Sequence, residues 1–400
     1  MFRDNFLENV LNWENIRNSS RIKNISILSI STITGNAISG IFWLYLAGLM
    51  GEESYGELGY LIAIAGITSN VVLIGGVWTM TIYTAKKVDV QPVLYLISII
   101  SSGISALILY FLFQNAGLSI FVIGFVIFNL TLAEVNGRKL YTDYSKFFIL
   151  QKIFFVLISL GLFQVIGPEG ILIGYGLSYI PFFKRMYISL RTNNFNFKFL
   201  KEKSGFIANN YSLDMVSAVG GQIDKLMIVP LFGFGLLGNY YLGLQVVSML
   251  GIIPGVIFTY ILPQDASGSS TKKLRMLTIL GSVILAVLGV FLAPILILIV
   301  FPEYEESLTL IPILSISIIP GTITAMYTSK FLGKEKSLYV LIGYLISAAA
   351  LVLGILTLSE IFGVIGLAFA YVGSMSLQAI FLVIMNYFKR DIFREKMNHE

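Results

Sequence analysis

Two adjacent ionisable residues, Asp224 and Lys225, sit deep inside the apolar stretch Tyr211–Gly233, with Asn210, Asp214, Ser217 and Gly221 shortly before them. At ~100° per residue of an α-helix, these six positions share an arc of about 100°, and the rest of the helix is almost wholly apolar. That is a helix with one wet face. Ionisable groups inside a membrane span are costly and are candidates for a transport pathway, so this face is suited to bind a polar substrate or a coupling ion. Counted back from Gly235, Asp224 and Lys225 lie ~16 Å from the end of the helix, near mid-membrane. As neighbours they flank the arc and do not form an i,i+4 pair, so each needs a partner from another helix or water. The plainer reading makes them interhelical glue. Asp214 lies near the cytoplasmic end, where a carboxylate also suits a helix N-terminus.

A weaker version of this face occurs near the start of the chain. Ser29, Thr32, Asn36, Ser39, Gly40 and Trp43 share an arc of about 100° by the same spacing. Asn70 and Asn129 read as interhelical hydrogen bonds. Glu134 and Lys152 lie near cytoplasmic ends, within reach of the interface by snorkelling. Pro230, Pro254, Pro294, Pro312 and Pro320 kink second-half helices, as hinges or as ordinary features of membrane helices.

The elements that must position these residues are twelve apolar stretches: Asn24–Met50, Glu57–Thr84, Pro92–Phe113, Gly117–Val135, Phe147–Ile166, Gly170–Tyr187, Tyr211–Gly233, Gly238–Leu262, Met276–Val300, Leu308–Thr328, Leu338–Leu358 and Gly363–Asn386. Each is long enough for ~30 Å of hydrocarbon. Of the 27 Lys and Arg residues, all but Lys152 and Lys225 fall in alternate connecting segments or, for Lys184 and Arg185, at the end of the sixth stretch that leads into one, and the intervening loops carry Glu52, Glu53, Glu169, Glu303, Glu305, Glu306 and Glu360 instead. The cationic side is cytoplasmic, which predicts a multi-pass protein of the plasma membrane with both termini inside.

Composition excludes several classes. Of 400 residues 56% are hydrophobic and 12% charged, against about 25% charged in soluble domains. The net charge of +5 reflects the cytoplasmic loops and reads as lipid-surface electrostatics rather than nucleic-acid binding. Cysteine is absent and the single histidine is His399, so no thiolate chemistry, metal centre or catalytic residue is expected. No Gly-x-x-x-x-Gly-Lys-Ser/Thr phosphate loop occurs, and no extramembrane segment is long enough for a catalytic domain. A carrier, passive or coupled to H⁺ or Na⁺, is expected rather than an enzyme. Phe2, Phe6, Val10 and Trp13 recur at helical spacing and predict an amphipathic helix on the cytoplasmic leaflet. The first apolar stretch is too long for a signal peptide.

The chain also repeats itself. Gly51 and Gly56 recur as Gly233 and Gly238, an offset of 182, and Gly170 and Gly174 are echoed by Gly366 and Ala370, an offset of 196. Shifted by 182, Asp214 falls on Thr32, Gly221 on Ser39 and Lys225 on Trp43, so the two wet faces correspond. The expected fold is an all-α polytopic membrane protein, twelve transmembrane helices in two six-helix lobes around a central cavity. An even helix count per lobe makes the repeat parallel. The expected divisions are a cytoplasmic amphipathic segment 1–23, a first lobe 24–187, a cytoplasmic connection 188–210, a second lobe 211–386 and a cytoplasmic tail 387–400.

The run Leu46-Ala-Gly-Leu-Met-Gly51-Glu-Glu-Ser-Tyr55-Gly56-Glu-Leu-Gly59-Tyr60 resembles the helix one–two junction of polysaccharide (O-antigen type) flippases of the multidrug/oligosaccharidyl-lipid/polysaccharide superfamily. Ile223-Asp224-Lys225-Leu-Met-Ile228, followed by Gly238-Asn-Tyr240-Tyr241, is similar to the family's second-half signature. The resemblance implies a carrier that moves a polyprenyl-phosphate or -diphosphate glycan from the cytoplasmic to the outer leaflet, with the lipid tail left in the bilayer. It implies Lys225 for phosphate, Asp224 for Lys225 or for a coupling H⁺ or Na⁺, and Asn36, Ser39 and Asn210 for sugar hydroxyls. Relatives line the cavity with several cations, whereas Lys225 is the only deep one here. That departure leaves room for a neutral glycan with its phosphate near Arg138 or Lys152 at the cytoplasmic edge. Partners would be membrane lipid, the lipid-linked glycan and glycan-assembly proteins. The competing readings are a cation-coupled multidrug exporter of the same superfamily and a non-transporting scaffold for glycan assembly.

Overall fold

The computed structural model describes residues 20–74, 76–192, 195, 197–266, 271–334 and 336–397. The N-terminal amphipathic stretch and His399 lie outside them. Among the described residues the regular elements are helical throughout. They are α1 (Ser20–Val72), α2 (Gly76–Ala85), α3 (Gln91–Phe113), α4 (Ala116–Gly137), α5 (Tyr141–Ile166), α6 (Glu169–Leu177), α7 (Phe183–Thr192), α8 (Phe197–Glu202), α9 (Ser204–Gly220), α10 (Ile223–Leu250), α11 (Ile252–Ala266), α12 (Lys272–Val300), α13 (Ser307–Ile316), α14 (Ile318–Gly333), α15 (Ser337–Phe362) and α16 (Val364–Met397). A 3₁₀ turn, Ile180–Phe182, links α6 to α7. Nine described segments are long and apolar enough to cross a membrane. Their outward faces stay apolar: Ile284, Phe291 and Ile299 of α12 are 65%, 69% and 72% exposed, a surface that water would penalise and lipid would not.

Two of the nine, Ser26–Val72 and Asp214–Leu250, have 47 and 37 residues, far beyond the ~20 that one crossing needs. Both fold back on themselves at a glycine. Gly51 adopts φ 73°, ψ 168° and Gly233 φ 84°, ψ 179°, a region that side-chain-bearing residues rarely enter. The side chains prove the reversal. Trp43 lies with its ring centroid 6.0 Å from that of Tyr241, and a Cβ on Gly59 would lie 3.0 Å from the same tyrosine ring. In a straight helix Trp43 and Gly59 would stand ~24 Å apart. Likewise Tyr240 donates a hydrogen bond to Asp224 at 2.8 Å across the second reversal.

The two hairpins lock together at their tips. A methyl group on Gly56 would overlap the Phe234 carbonyl oxygen and lie 2.7 Å from the Gly238 nitrogen, and one on Gly238 would overlap the Glu52 carbonyl oxygen. Under the 182-residue offset Glu52 corresponds to Phe234 and Gly56 to Gly238, so these are the same contact made twice about a local two-fold. Glycine permits backbone-to-backbone packing of helices that no other residue allows. Around the seam Asn239 donates to Glu52 Oε2 at 2.6 Å and accepts from the Ser307 backbone N–H at 3.0 Å, while the Tyr304 hydroxyl donates to the Ala47 carbonyl at 2.8 Å. Burial together with Glu52 and Glu303 raises the Tyr304 phenol well above its ordinary value, so Tyr304 remains a donor. The two hairpin tips are in direct backbone contact.

Elsewhere α1–α7 pack mainly among themselves and α9–α16 mainly among themselves, with α1 and α2 meeting α9, α10 and α11 between the two groups. Several stretches read as single helices are broken. The second breaks between Val72 and Gly76, the sixth at the 3₁₀ turn, and the seventh at Gly221–Gln222, where α9 ends and α10 begins. The α10/α11 and α13/α14 breaks, at Gly251 and Ser317, each precede a proline by three residues, Pro254 and Pro320. A proline in the first helical turn lacks an N–H that would go unpaired anyway, but it removes the bond that would have joined the two segments.

Candidate functional site

The break in the seventh stretch changes the wet face predicted for it. Asn210 to Lys225 do not lie on one continuous helix, and the side chains separate into different surroundings. Asp214, on α9, accepts a hydrogen bond from Trp78 Nε1 of α2 at 3.1 Å. Ser217, Asp224 and Lys225 line a cavity of about 220 Å³ together with Tyr344, Ser347, Tyr371, Ser374 and Gln378. The side chain of Asn210 is outside the described set. Asn36 and Ser39 line a different cavity, so the structure does not bring the helix-one and helix-seven candidates together.

The helical arc alone has each residue seeking a partner elsewhere, whereas the resemblance allows Asp224 to pair with Lys225, and the two do pair with each other. Asp224 Oδ1 accepts from the Lys225 backbone N–H at 2.9 Å and lies 3.5 Å from Lys225 Nζ, and Oδ2 accepts from Tyr240. Lys225 Nζ also donates to the Gly221 carbonyl at 3.2 Å. The broken helix makes this possible. Gly221 closes α9, whereas Asp224 stands in the first turn of α10. The cation therefore meets the negative end of one helix and the carboxylate the positive end of the next. Both residues are buried, Asp224 to 2% and Lys225 to 7% exposure.

The second cavity, of about 430 Å³, lies between α1 and the α10–α11 segment. Thr32, Asn36, Ser39, Gly40 and Trp43 form one wall, and Gln245, Ser248, Met249, Gly251, Ile252, Gly255 and Val256 the other. The α10/α11 break lies in this wall. Pro254 offers no N–H to the Leu250 carbonyl, so the helix ladder is interrupted here. Its polar groups are neutral hydroxyls and amides. Trp43 is fixed edge-on to Tyr175 and Tyr241 and packs on Phe155.

Next to it runs an apolar groove of about 750 Å³ between α1, α10 and α12. Ile41, Tyr45 and Leu49 of α1 face Leu288, Leu292 and Leu296 of α12, and Met249 borders both groove and polar cavity. Consecutive faces of α1 thus line a polar space and an apolar one, and neither is lined by an Asp, Glu, Lys or Arg.

The cytoplasmic-edge candidates also separate. Arg138 Nε is 2.8 Å from Glu134 Oε1, Arg185 Nε 3.5 Å from the same oxygen, and Tyr95 donates to Oε2 at 3.0 Å. Glu134 is 3% exposed, so it does not snorkel: two cations compensate it in place. Lys152 lies against Phe148, its Nζ 5.5 Å from the ring centroid, and packs beside Gly35. Asn70 and Asn129 bond within their own helices, to the Gly66 and Phe125 carbonyls, both at 2.8 Å, rather than to neighbours. Sequence reasoning missed Gln245 and Ser248, whose three-residue spacing with Gly251 marks a polar and small stripe on an otherwise apolar helix. It also missed Asp265, held by Arg275 at 2.9 Å and Ser329 at 2.7 Å.

No family model and no curated protein sequence matches this chain. Solved structures do. The lipid II flippase MurJ in an inward closed conformation is similar at a TM-score of 0.74 and 14% identity, over 90% of this chain and 87% of that one. An inward-facing multidrug resistance MATE family transporter of the MOP superfamily is similar at 0.65 and 11%, over 91% and 96%. A MOP superfamily transporter from Pyrococcus furiosus is similar at 0.64 and 12%, over 92% and 95%. The chain therefore has the fold of MOP-superfamily transporters, a multi-pass membrane protein whose structural neighbours are carriers rather than enzymes.

Proposed function

We propose that this protein is a flippase for a lipid-linked glycan, moving a polyprenyl-phosphate or -diphosphate sugar from the cytoplasmic to the outer leaflet by alternating access. The observation that carries this reading is the pair of adjoining spaces on α1. The neutral polar cavity suits sugar hydroxyls, with Asn36, Ser39, Gln245 and Ser248 as hydrogen-bonding groups and Trp43 as an aromatic wall. The neighbouring apolar groove suits an isoprenoid chain. An amphiphile needs both, side by side. A multidrug exporter of organic cations would be expected to place a carboxylate in its cavity, and neither space has one. The mutual packing of α1–α7 and of α9–α16 supports two six-helix lobes with twelve crossings, and the closed hairpin tips support a state open toward the cytoplasm, with both termini on that side.

In this reading Asp224 and Lys225 clasp the broken seventh helix. Lys225 already supplies the carboxylate's cation, so uptake of H⁺ or Na⁺ there would require Lys225 to leave.

The test is delivery of a fluorescent polyprenyl-diphosphate oligosaccharide across vesicles holding the purified protein. Wild type should expose the glycan on the far leaflet, and Asn36→Leu combined with Gln245→Leu should slow this at least tenfold while leaving the unfolding temperature within a few degrees. Transport of an organic cation such as ethidium with no glycan delivery would assign the exporter reading instead.

A further inference from the structure

We propose that a pocket on the cytoplasmic face, between the α2–α3 and α4–α5 turns, binds the phosphate group of a lipid. It stands apart from the transport site and does not depend on what is transported. The pocket encloses about 560 Å³ and is lined by Thr84, Lys87, Asp89, Gln91, Arg138 and Lys139, among others. The backbone singles it out. Three non-glycine residues among those described have φ > 0, and two of them are Lys87, at 59°, and Lys139, at 60°.

Each lysine closes a helix in the same way. At the end of α2, Val88 N–H bonds the Tyr83 carbonyl and Lys87 N–H that of Thr84, both at 3.0 Å. At the end of α4, Leu140 N–H bonds the Val135 carbonyl at 3.0 Å and Lys139 N–H that of Asn136 at 2.9 Å. This paired pattern normally places glycine at the left-handed position. Both sites here carry lysine, in a conformation that side chains rarely adopt. A residue that serves the fold poorly at two matching positions, both facing one pocket, points to a role beyond capping.

The two turns are held in fixed register. Gly137 packs so closely on α2 that a Cβ would lie 2.6 Å from the Thr81 carbonyl oxygen, and Thr81 Oγ1 donates to the Ala133 carbonyl at 3.2 Å. Arg138 is anchored through Nε to Glu134, so its guanidinium is positioned rather than free. Gln91 adds the second indication of a ligand. It is 3% exposed, its Nε2 meets Thr84 Oγ1 at 3.0 Å, and its Oε1 has no partner. Rotating the amide lets Oε1 accept from the threonine hydroxyl and turns the N–H₂ donors to the other side. With Arg138 shared with Glu134, Lys87 and Lys139 against Asp89 leave the pocket net positive at the level of the headgroups, where basic pockets between membrane helices select anionic lipid. Lys86, off this pocket, lies over the Tyr83 ring instead.

The test compares purified wild type with the Lys87→Gly/Lys139→Gly double variant, by thermal unfolding in detergent with short-chain phosphatidylglycerol, phosphatidylcholine or inorganic diphosphate added. Glycine suits the left-handed position, so without ligand the variant should unfold at the same temperature as wild type or higher. Wild type should be stabilised by several degrees by phosphatidylglycerol, and the variant should lose that response. A response to diphosphate as well would assign a bare phosphate; a response to phosphatidylglycerol alone assigns the lipid headgroup. Equal responses in both proteins, no response in wild type, or a variant destabilised without ligand would overturn the proposal and leave the lysines as helix caps. Single Lys→Asn variants, which tolerate φ > 0 without the charge, should repeat the loss in part.

Discussion

Replacing Gly238 with alanine should separate the two hairpin tips and lower the unfolding temperature sharply, an effect matched only at its symmetry mate Gly56. The new Cβ would overlap the Glu52 carbonyl oxygen and approach the Glu52 Cα to 3.1 Å. Backbone atoms cannot rotate aside as a flexible side chain does. Overpacking commonly costs about 1–3 kcal/mol, and this site belongs at the upper end because relief requires two helices to move. Gly56→Ala meets the symmetry-related obstacle and should behave alike. Two controls separate this contact from the general effect of adding a methyl. Gly59→Ala would meet the Tyr241 ring, which can shift, and should be milder. Gly103→Ala, on α3 with nothing within 4 Å, should be neutral or stabilising by up to about 1 kcal/mol, as expected for glycine to alanine in a helix. Thermal unfolding of the four variants in one detergent decides the order. Equal effects at Gly238 and Gly103 would remove the seam from the account.

Asp224→Ala should be the most damaging substitution of a polar residue. It leaves the Lys225 cation buried with only the Gly221 carbonyl, and the Tyr240 hydroxyl without its acceptor. Removing one partner of a buried ion pair costs about 3–5 kcal/mol, whereas replacing both by apolar groups of similar size is often close to neutral. Asp224→Ala/Lys225→Met should therefore unfold well above Asp224→Ala alone. The same pair of variants addresses transport. A clasp predicts that glycan delivery follows stability and recovers in the double variant. A coupling residue predicts that delivery stays lost although the fold returns.

The apolar stretches and the glycine pairs at a 182-residue offset were legible in the sequence because both arise from backbone requirements: length across hydrocarbon, and turns of positive φ with extended ψ or backbone-to-backbone contacts, which favour glycine. The breaks were not. Gly221–Gln222 contains no proline, and an apolar run reads the same whether it forms one helix or two. Projecting Asn210 to Lys225 onto a single cylinder merged side chains that the break sends to Trp78 in one case and to Tyr240 in another. Asn36 and Ser39 were found by their spacing with Trp43, yet their opposite wall, Gln245 and Ser248, was passed over because two polar residues in an apolar helix give little signal without knowing which helix they face. Glu134 was read as an edge residue since its compensating Arg185 lies some fifty positions later in the chain.

In the proposed transport cycle an amphiphile enters the adjoining spaces on α1 and leaves only when the hairpin tips part. Because the chain contains no cysteine, a pair introduced as Glu52→Cys and Asn239→Cys, at positions whose side chains are hydrogen-bonded in the closed seam, can be joined by a short reducible cross-linker without side reactions. Delivery of the polyprenyl-diphosphate glycan should stop in vesicles holding the cross-linked protein and return on reduction, while the uncross-linked pair keeps measurable activity. Undiminished delivery with the tips cross-linked would contradict the account.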